Sequence, residues 1–422
     1  MKVELNKKSI QKSQIIILGG GQTGAYAANE IRKHDKESLL TIINEEKYTP
    51  YERPPLSKDC LLGKKEYGDL SFFSKEKYKD DNVNILNQKV KNVDFKNNTL
   101  SFSNYEDLIY DRLLIATGSK NRELHFNNNL DFTENDILYL RTIEDSKKIK
   151  EKIEQSKSIA IIGGGFIGLE IASSVAQLGK NAFVIEIADQ LMGRIIPSQI
   201  ASFIAQYHKN NGNKILLNSK ITKISKKNNS YQIYLSDNTE INIDAVIAGI
   251  GSMANTEIFK NTSLKLDNGI LTDEYCRTSE DNVFAAGDVS NFFHPFYNSY
   301  LRLESYRHAQ NHGICAAKNI LGIKTSYQDI PWMWSDQFNL NLQLTGLCNK
   351  YENIVKRGEK LEDGVLFFFL KNKKIVGACG LGVSGKIGKD ISIAGKLSEK
   401  NITVSDEDLS NTNIKLNKLL KK

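Results

Sequence analysis

The chain has 422 residues, room for roughly two or three domains at the usual ~100–200 residues each. Hydrophobic residues make up 40% and charged residues 25%, which excludes a disordered or fibrous chain and fits a globular one. The net charge of +7 is too mild to mark a nucleic-acid binder, and Lys and Arg form no compact block beyond the terminal KLLKK.

The first fourteen residues contain no apolar run of signal-peptide length, so a cytoplasmic location is expected. Residues 15–32, IIILGGGQTGAYAANEIR, then read as a short buried strand, a GxGxxG turn at Gly19, Gly21 and Gly24, and a helix that carries Thr23. The first glycine permits a tight turn, the second lets backbone approach a pyrophosphate, and the third lets helix and strand pack closely. The following LLTIINEE reads as a second strand with Glu45 at its end, placed to accept hydrogen bonds from a ribose. Next comes YERPPLSK at residues 51–58, then Cys60. The five cysteines, Cys60, Cys276, Cys315, Cys348 and Cys379, form no CxxC or CxxxxC pair. That argues against a redox dithiol and suits a reducing cytoplasm. The histidines are read as too scattered for a metal site.

An alternating, hairpin-like stretch leads into YDRLLIATG at 110–118, and YLRTIED follows at 139–145. Residues 158–178, SIAIIGGGFIGLEIASSVAQL, repeat the strand–turn–helix pattern with glycines Gly163, Gly165 and Gly168. This stretch is apolar enough to suggest a membrane helix, but Glu170 and its glycines fit a soluble strand, turn and helix far better. AFVIEI places Glu186 at the end of the next strand. SFIAQYHKNNG reads as a helix in which His208 is structural. A second hairpin-like stretch leads into IDAVIAGIG at 243–251, ending on Gly249 and Gly251 and paralleling 110–118. TSEDNVFAAGD then gives a short strand closed by Gly287 and Asp288.

Beyond about residue 327 the pattern changes. Phe338, Leu340, Leu342 and Leu344 alternate at the strand period, and 365–370 with 375–378 suggests a hairpin across Asn372. Ile387, Ile391, Ala394 and Leu397 mark a helix, and a helical tail is expected from Asp406. The fold class is therefore α/β: two Rossmann-like dinucleotide-binding domains and a C-terminal α+β domain. The expected boundaries are 1–118 with 252–326, 119–251, and 327–422.

The first GxGxxG, Ala116-Thr117-Gly118 and Gly287-Asp288 together resemble the FAD-binding pattern of the glutathione-reductase-like flavoproteins. YERPPLSK, YLRTIED, LRLES at 301–305 and PWMWSDQ at 331–337 narrow the resemblance to the ferredoxin reductases that serve oxygenases. It runs essentially end to end. It implies FAD in the first site, contacted also by Arg53, Val90, Arg141 and Tyr306, and NADH in the second, contacted by Phe166 and Ile167 as well as its glycines. It implies electron transfer to a [2Fe-2S] ferredoxin, with Lys58 and Glu170 paired at the flavin–nicotinamide junction. Read from the residues alone, Lys58 could also be a surface lysine and Glu170 a carboxylate at a helix start. Trp332 and Trp334 could cover the flavin or anchor a domain junction. A thiol role for Cys60 is disfavoured, since Lys58 is the one visible group that would activate it. Competing readings are a rubredoxin reductase, an NADH oxidase or peroxidase, an NADPH-preferring reductase, and a binding flavoprotein like the apoptosis-inducing factors. Neither a nucleic-acid partner nor a membrane is expected, and the sequence carries no signal for an oligomeric state.

Overall fold

The computed structural model describes residues 12–125, 132–133, 136–193, 195–227, 230–383 and 385–421. The chain packs into two units. One comprises residues 1–52, 71–119 and 254–329; the other comprises 53–70, 120–253 and 330–422.

In the first unit, IIIL needs no polar alternation because it is buried on both faces. Gln14–Leu18 lies inside a five-stranded parallel sheet, between Arg112–Ile115 and Leu39–Ile43. Val283–Ala285 and Val83–Leu86 form its edges. The helices Gln22–His34 and Tyr306–Ile320 pack against each other, with Ala27, Ala28, Ile31, Ala316 and Ala317 in one apolar cluster. Small side chains let the two helices approach. The hairpin-like stretch before 110–118 is an antiparallel sheet of Val90–Asp94, Thr99–Phe102 and Leu108–Ile109.

The second unit repeats the plan. Ser158–Ile162 sits between Asn181–Ile185 and Ala245–Ala248 in a parallel sheet edged by Lys214–Leu216 and Ile137–Tyr139. Helices Ile143–Gln155, Phe166–Gln177 and Ser198–Asn210 accompany it, and a three-stranded meander spans 221–243. The same unit holds a five-stranded antiparallel sheet in the order Trp332–Gln337, Leu340–Gly346, Lys374–Val383, Val365–Lys371, Asn353–Arg357. Its hairpin turns at Asn372 and Lys373, both at positive φ, and helix Gly388–Glu399 covers it.

Two expectations about this sheet need correction. Phe338 does not continue an alternating strand; it is the turn between two strands, at φ 58°, and its N–H donates to Ser173 Oγ at 2.6 Å. The tail is helical only over Asp406–Ser410 and a 3₁₀ turn, Leu416–Lys421. Its path is set instead by buried Arg357, which donates to the carbonyls of Leu409, Asn411 and Ile414 at 3.0, 2.6 and 2.7 Å.

Candidate functional site

The first glycine turn is fixed by backbone crowding. Gly19 has φ +128°, and a Cβ there would lie 2.1 Å from the Ala116 carbonyl oxygen; one at Gly24 would lie 2.1 Å from the Gly19 oxygen. Gly21 is different. It caps helix Gln22–His34 at φ −88°, and a Cβ would meet nothing within 4 Å. Among the described residues nothing demands glycine there. The helix start carries the partial positive charge that favours an anion, so the demand fits a phosphate ligand. Gly287, at φ +77°, brings its Cα against Thr23, whose Oγ1 would lie 2.2 Å from an added Cβ. Asp288 accepts from Ser119 Oγ at 3.0 Å, Thr117 Oγ1 donates to the Asn255 carbonyl at 2.9 Å, and Asn255 N–H donates to the Gly118 carbonyl at 2.9 Å. Tyr306 opens helix Tyr306–Ile320, and its carbonyl accepts from Gln22 at 2.8 Å. The structure thus gathers Thr23, Ala116–Gly118, Gly287, Asp288 and Tyr306 around the first turn. Val90 starts the hairpin sheet and is buried.

The second turn copies the first. A Cβ at Gly163, φ +103°, would lie 2.5 Å from the Gly249 oxygen, one at Gly168 2.2 Å from the Gly163 oxygen, and one at Gly165 has only a contact at 3.9 Å. Gly251 also has positive φ. Phe166 opens helix Phe166–Gln177, with Ile167 next to it and 44% exposed. Glu186 closes the site. Its Oε2 accepts from Gly164 N–H at 2.7 Å and its Oε1 from Ala188 N–H at 2.9 Å, so the carboxylate is locked in place before any ribose arrives.

Register gives Asn44 as the counterpart of Glu186 in the first copy. Gly163 N–H bonds the Ile185 carbonyl and Gly19 N–H bonds the Ile43 carbonyl, so the residue equivalent to Glu186 is Asn44. A Cβ on Gly20 would strike Asn44, whereas Glu45 points outward to Lys89 at 2.7 Å with its side chain 62% exposed.

Lys58 and Glu170 do meet. Lys58 Nζ lies 3.4 Å from Glu170 Oε1 and 3.5 Å from Asp336 Oδ2, with side-chain exposures of 15%, 6% and 43%. Glu170 also accepts from Ser57 Oγ at 2.5 Å and Ser335 Oγ at 2.7 Å. Burial pushes its carboxyl above the ordinary value, against the pull of Lys58 and the two hydroxyls. Trp334 lies 5.7 Å from Lys58 Nζ, donates to Asp336 at 3.1 Å and stacks on Trp332 at 5.2 Å. Arg53 donates to the Arg141 carbonyl at 2.5 Å, which joins two of the expected cofactor residues. Ser57, Ser335 and Asp336 were missed as site residues. They lay inside quoted motifs, but only the fold shows what they face.

Cys60 lies in surroundings that do not activate a thiol. It is wholly buried, and burial pushes it up to about 11 despite Lys65 and Lys150. His208 is structural in kind: buried, and bonded to Gln337 and Asn213. The reading of the histidines as scattered also needs correction, because His308 and His312 stand four apart on one helix. Both are buried against Phe292 and Tyr327, and among the described residues no cluster of His, Cys, Asp and Glu could hold a metal. Among the same residues no helix is long and apolar enough to cross a membrane.

With this geometry in hand, residues 13–313 match the family described as pyridine nucleotide-disulphide oxidoreductase. The chain belongs to that family. Residues 332–420 match a second family, described as reductase C-terminal. The reductase component of the p-cumate 2,3-dioxygenase system of Pseudomonas putida, a ferredoxin–NAD(+) reductase, is 30% identical over 96% of this chain and 98% of its own. A rubredoxin–NAD(+) reductase of Pseudomonas putida is 30% identical over 81% of this chain and 88% of its own. The solved ferredoxin reductase for the CYP199A2 system of Rhodopseudomonas palustris superposes with a TM-score of 0.90 at 28% identity, covering 96% and 99% of the two chains. This family member thus carries two glycine turns, a reductase C-terminal domain and no thiol pair beside the first helix.

Proposed function

We propose that this chain carries electrons from NADH through FAD to a [2Fe-2S] ferredoxin that supplies an oxygenase. The observation that carries the reading is the Lys58–Glu170 pair, in which Glu170 is buried on the helix opened by the second glycine turn and Lys58 reaches it from the 53–70 segment, in a chain whose nearby thiol, Cys60, is buried. The residues present fit both cofactors: open space at Gly21 and Gly165 occurs where the protein itself imposes no glycine. FAD would be held by Gly19, Gly21, Thr23, Gly24, Ala116, Thr117, Gly118, Gly287 and Asp288. Val90, Arg53, Arg141 and Tyr306 belong to the same assignment. NADH would be held by Gly163, Gly165, Phe166, Ile167, Gly168, Glu186, Gly249 and Gly251. When bound, the flavin supplies acceptance of an electron pair and release of single electrons. Lys58 contributes a positive charge held between Glu170 and Asp336, placed to favour negative charge that develops during transfer.

The domain division, FAD over 1–118 and 252–326, NAD over 119–251 and reductase C-terminal over 327–422, is part of this proposal. So is a cytoplasmic location, supported by five free cysteines. A rubredoxin acceptor is the second reading, favoured by the relative of that name. The test is NADH-dependent cytochrome c reduction with ferredoxin or rubredoxin as mediator. We expect acceleration by a two-iron ferredoxin that falls as salt rises, because the chain is net positive and small ferredoxins are usually acidic. Faster turnover of glutathione disulfide than of either iron protein would overturn the reading.

A further inference from the structure

A line of buried side chains runs into Glu170 from the far end of the neighbouring helix. Ser335 Oγ donates to Glu170 Oε1 at 2.7 Å, and Gln337 Nε2 donates to Ser335 Oγ at 3.1 Å. His208 Nε2 lies 2.9 Å from Gln337 Oε1, and Asn213 Nδ2 lies 2.8 Å from His208 Nδ1. Glu170, Ser335, Gln337, His208 and Asn213 are all buried. They come from three separate stretches of chain: helix Phe166–Gln177, strand Trp332–Gln337, and the end of helix Ser198–Asn210 with the loop after it.

The direction of every hydrogen in this line follows from one end. An ionised carboxylate only accepts, so Ser335 must donate to it. Ser335 must then accept from the amide nitrogen of Gln337, which leaves Gln337 Oε1 as an acceptor. His208 must meet that oxygen with an Nε2–H, so its Nδ1 carries the lone pair that Asn213 fills. All four bonds therefore point toward Glu170, and aligned hydrogen bonds in a low-dielectric interior polarise one another. Two members are amides with fixed donor and acceptor ends, so the line orients dipoles and does not conduct protons.

We propose that His208 is a positioning residue that acts through Gln337 and Ser335 to keep Glu170 ionised, and through Glu170 to hold Lys58. The inference rests on the reading of Lys58 and Glu170 as part of the nicotinamide site. Four groups face the Glu170 carboxyl: Lys58 and Ser57 from the 53–70 segment, Ser335 from the C-terminal strand, and Asp336, whose like charge opposes ionisation. Burial already lifts this carboxyl, so its charge is sensitive to the loss of any one donor. His208 itself stays neutral, because burial depresses its affinity for a proton.

The experiment has a structural and a kinetic arm on the purified full-length protein. Long-range ¹H–¹⁵N spectra should show His208, identified by its loss in His208→Gln, as the Nε2–H tautomer. Infrared difference spectra across a pH titration, with the Glu170 band identified by Glu170→Gln, should show its protonation midpoint rising in His208→Leu by ~0.5–1 pH unit. Ser335→Ala should raise it at least as much, which covers the case in which His208→Leu does not fold. His208→Gln, whose amide nitrogen can reach Gln337, should restore the midpoint. In stopped-flow reduction of the flavin by NADH, the acid limb of the pH profile should move upward in the same order. An Nδ1–H tautomer, or a Glu170 midpoint indifferent to both His208→Leu and Ser335→Ala, would overturn the proposal. If the structural arm behaves as stated while reduction ignores Glu170→Gln, the polarised line stands and the assignment of the pair to the nicotinamide site falls.

Discussion

The two glycine turns share a backbone and differ in the residue after the second strand, an amide in one and an acid in the other. In both, the first and third glycines are demanded by carbonyl oxygens 2.1–2.5 Å from a hypothetical Cβ, and the second is demanded by none of the described residues. The residue after the second strand then differs: Asn44 in the first copy, Glu186 in the second. An uncharged amide leaves the first turn tolerant of whatever the ribose brings. In the second, two backbone N–H groups fix a carboxylate, and under the proposed function it would accept from ribose hydroxyls and repel a 2′-phosphate. Duplicated scaffolds thus diverge at one side chain while the phosphate-binding geometry stays the same.

The largest effect should come from filling the two open positions separately. Gly21→Val should fold, because its Cβ meets no protein atom, yet lose FAD, read as loss of the yellow flavin absorbance. Gly165→Val should keep FAD and lose saturable reduction by NADH. Equal flavin loss in both variants would erase the distinction between the sites.

Next in size is Lys58→Met, which should slow flavin reduction at saturating NADH by roughly 10–100-fold with FAD content unchanged. Stopped-flow absorbance decides it, and an unchanged rate constant would relegate Lys58 to packing.

Glu186→Ala should cut the preference for NADH over NADPH by about 10–100-fold in kcat/KM, the loss expected for a charge-assisted hydrogen bond and a removed repulsion. Asn44→Ala should leave that ratio alone. A shifted ratio in Asn44→Ala would break the comparison from the other side.

The smallest effect separates the two units by acid. His308, fully buried, is held down to about 3 by burial, with a smaller push from His294; burial lowers His312 as well, reinforced by His308 and His294, and lowers His294 against the pull of Asp329. The unfolded chain takes up these protons below pH 6.5 and the folded one does not, so stability falls as pH drops from about 6.5 toward 3. For His308 alone the loss by pH 5 is about 2 kcal/mol. Urea-induced release of flavin, reporting the first unit, should need less urea at pH 5 than at pH 8, and His308→Gln should narrow that gap. A gap as wide in His308→Gln as in the native protein would place the acid sensitivity elsewhere.

Much of this architecture was legible in the residues. Short continuous runs of Ile and Val, glycines at fixed spacing and an acid past a strand are local signals, and they located both sheets, both turns and Glu186. The hairpin across Asn372 and the helix after Ile387 followed from the same periodicities. Phe338 misled because an apolar residue at the right parity looks like strand, although here its positive φ makes the turn. Asn44 went unread because the residues alone carry no register, and only the pairing of Leu18 with Ile43 shows that it stands where Glu186 stands in the second copy.

By itself the sequence determined the duplicated nucleotide-binding plan, the absence of a redox cysteine pair and the residue types at each glycine turn. These depend on neighbours a few positions away, through backbone sterics and strand or helix period. The tertiary structure alone decided that Glu170 gathers Ser57, Lys58, Ser335 and, through Gln337, His208. Those partners stand 112 to 165 positions from Glu170 or act on it through residues that far away, and no local pattern encodes such a meeting. It is set by how the C-terminal sheet packs on helix Phe166–Gln177, where burial leaves a carboxylate no water and makes every remaining donor count.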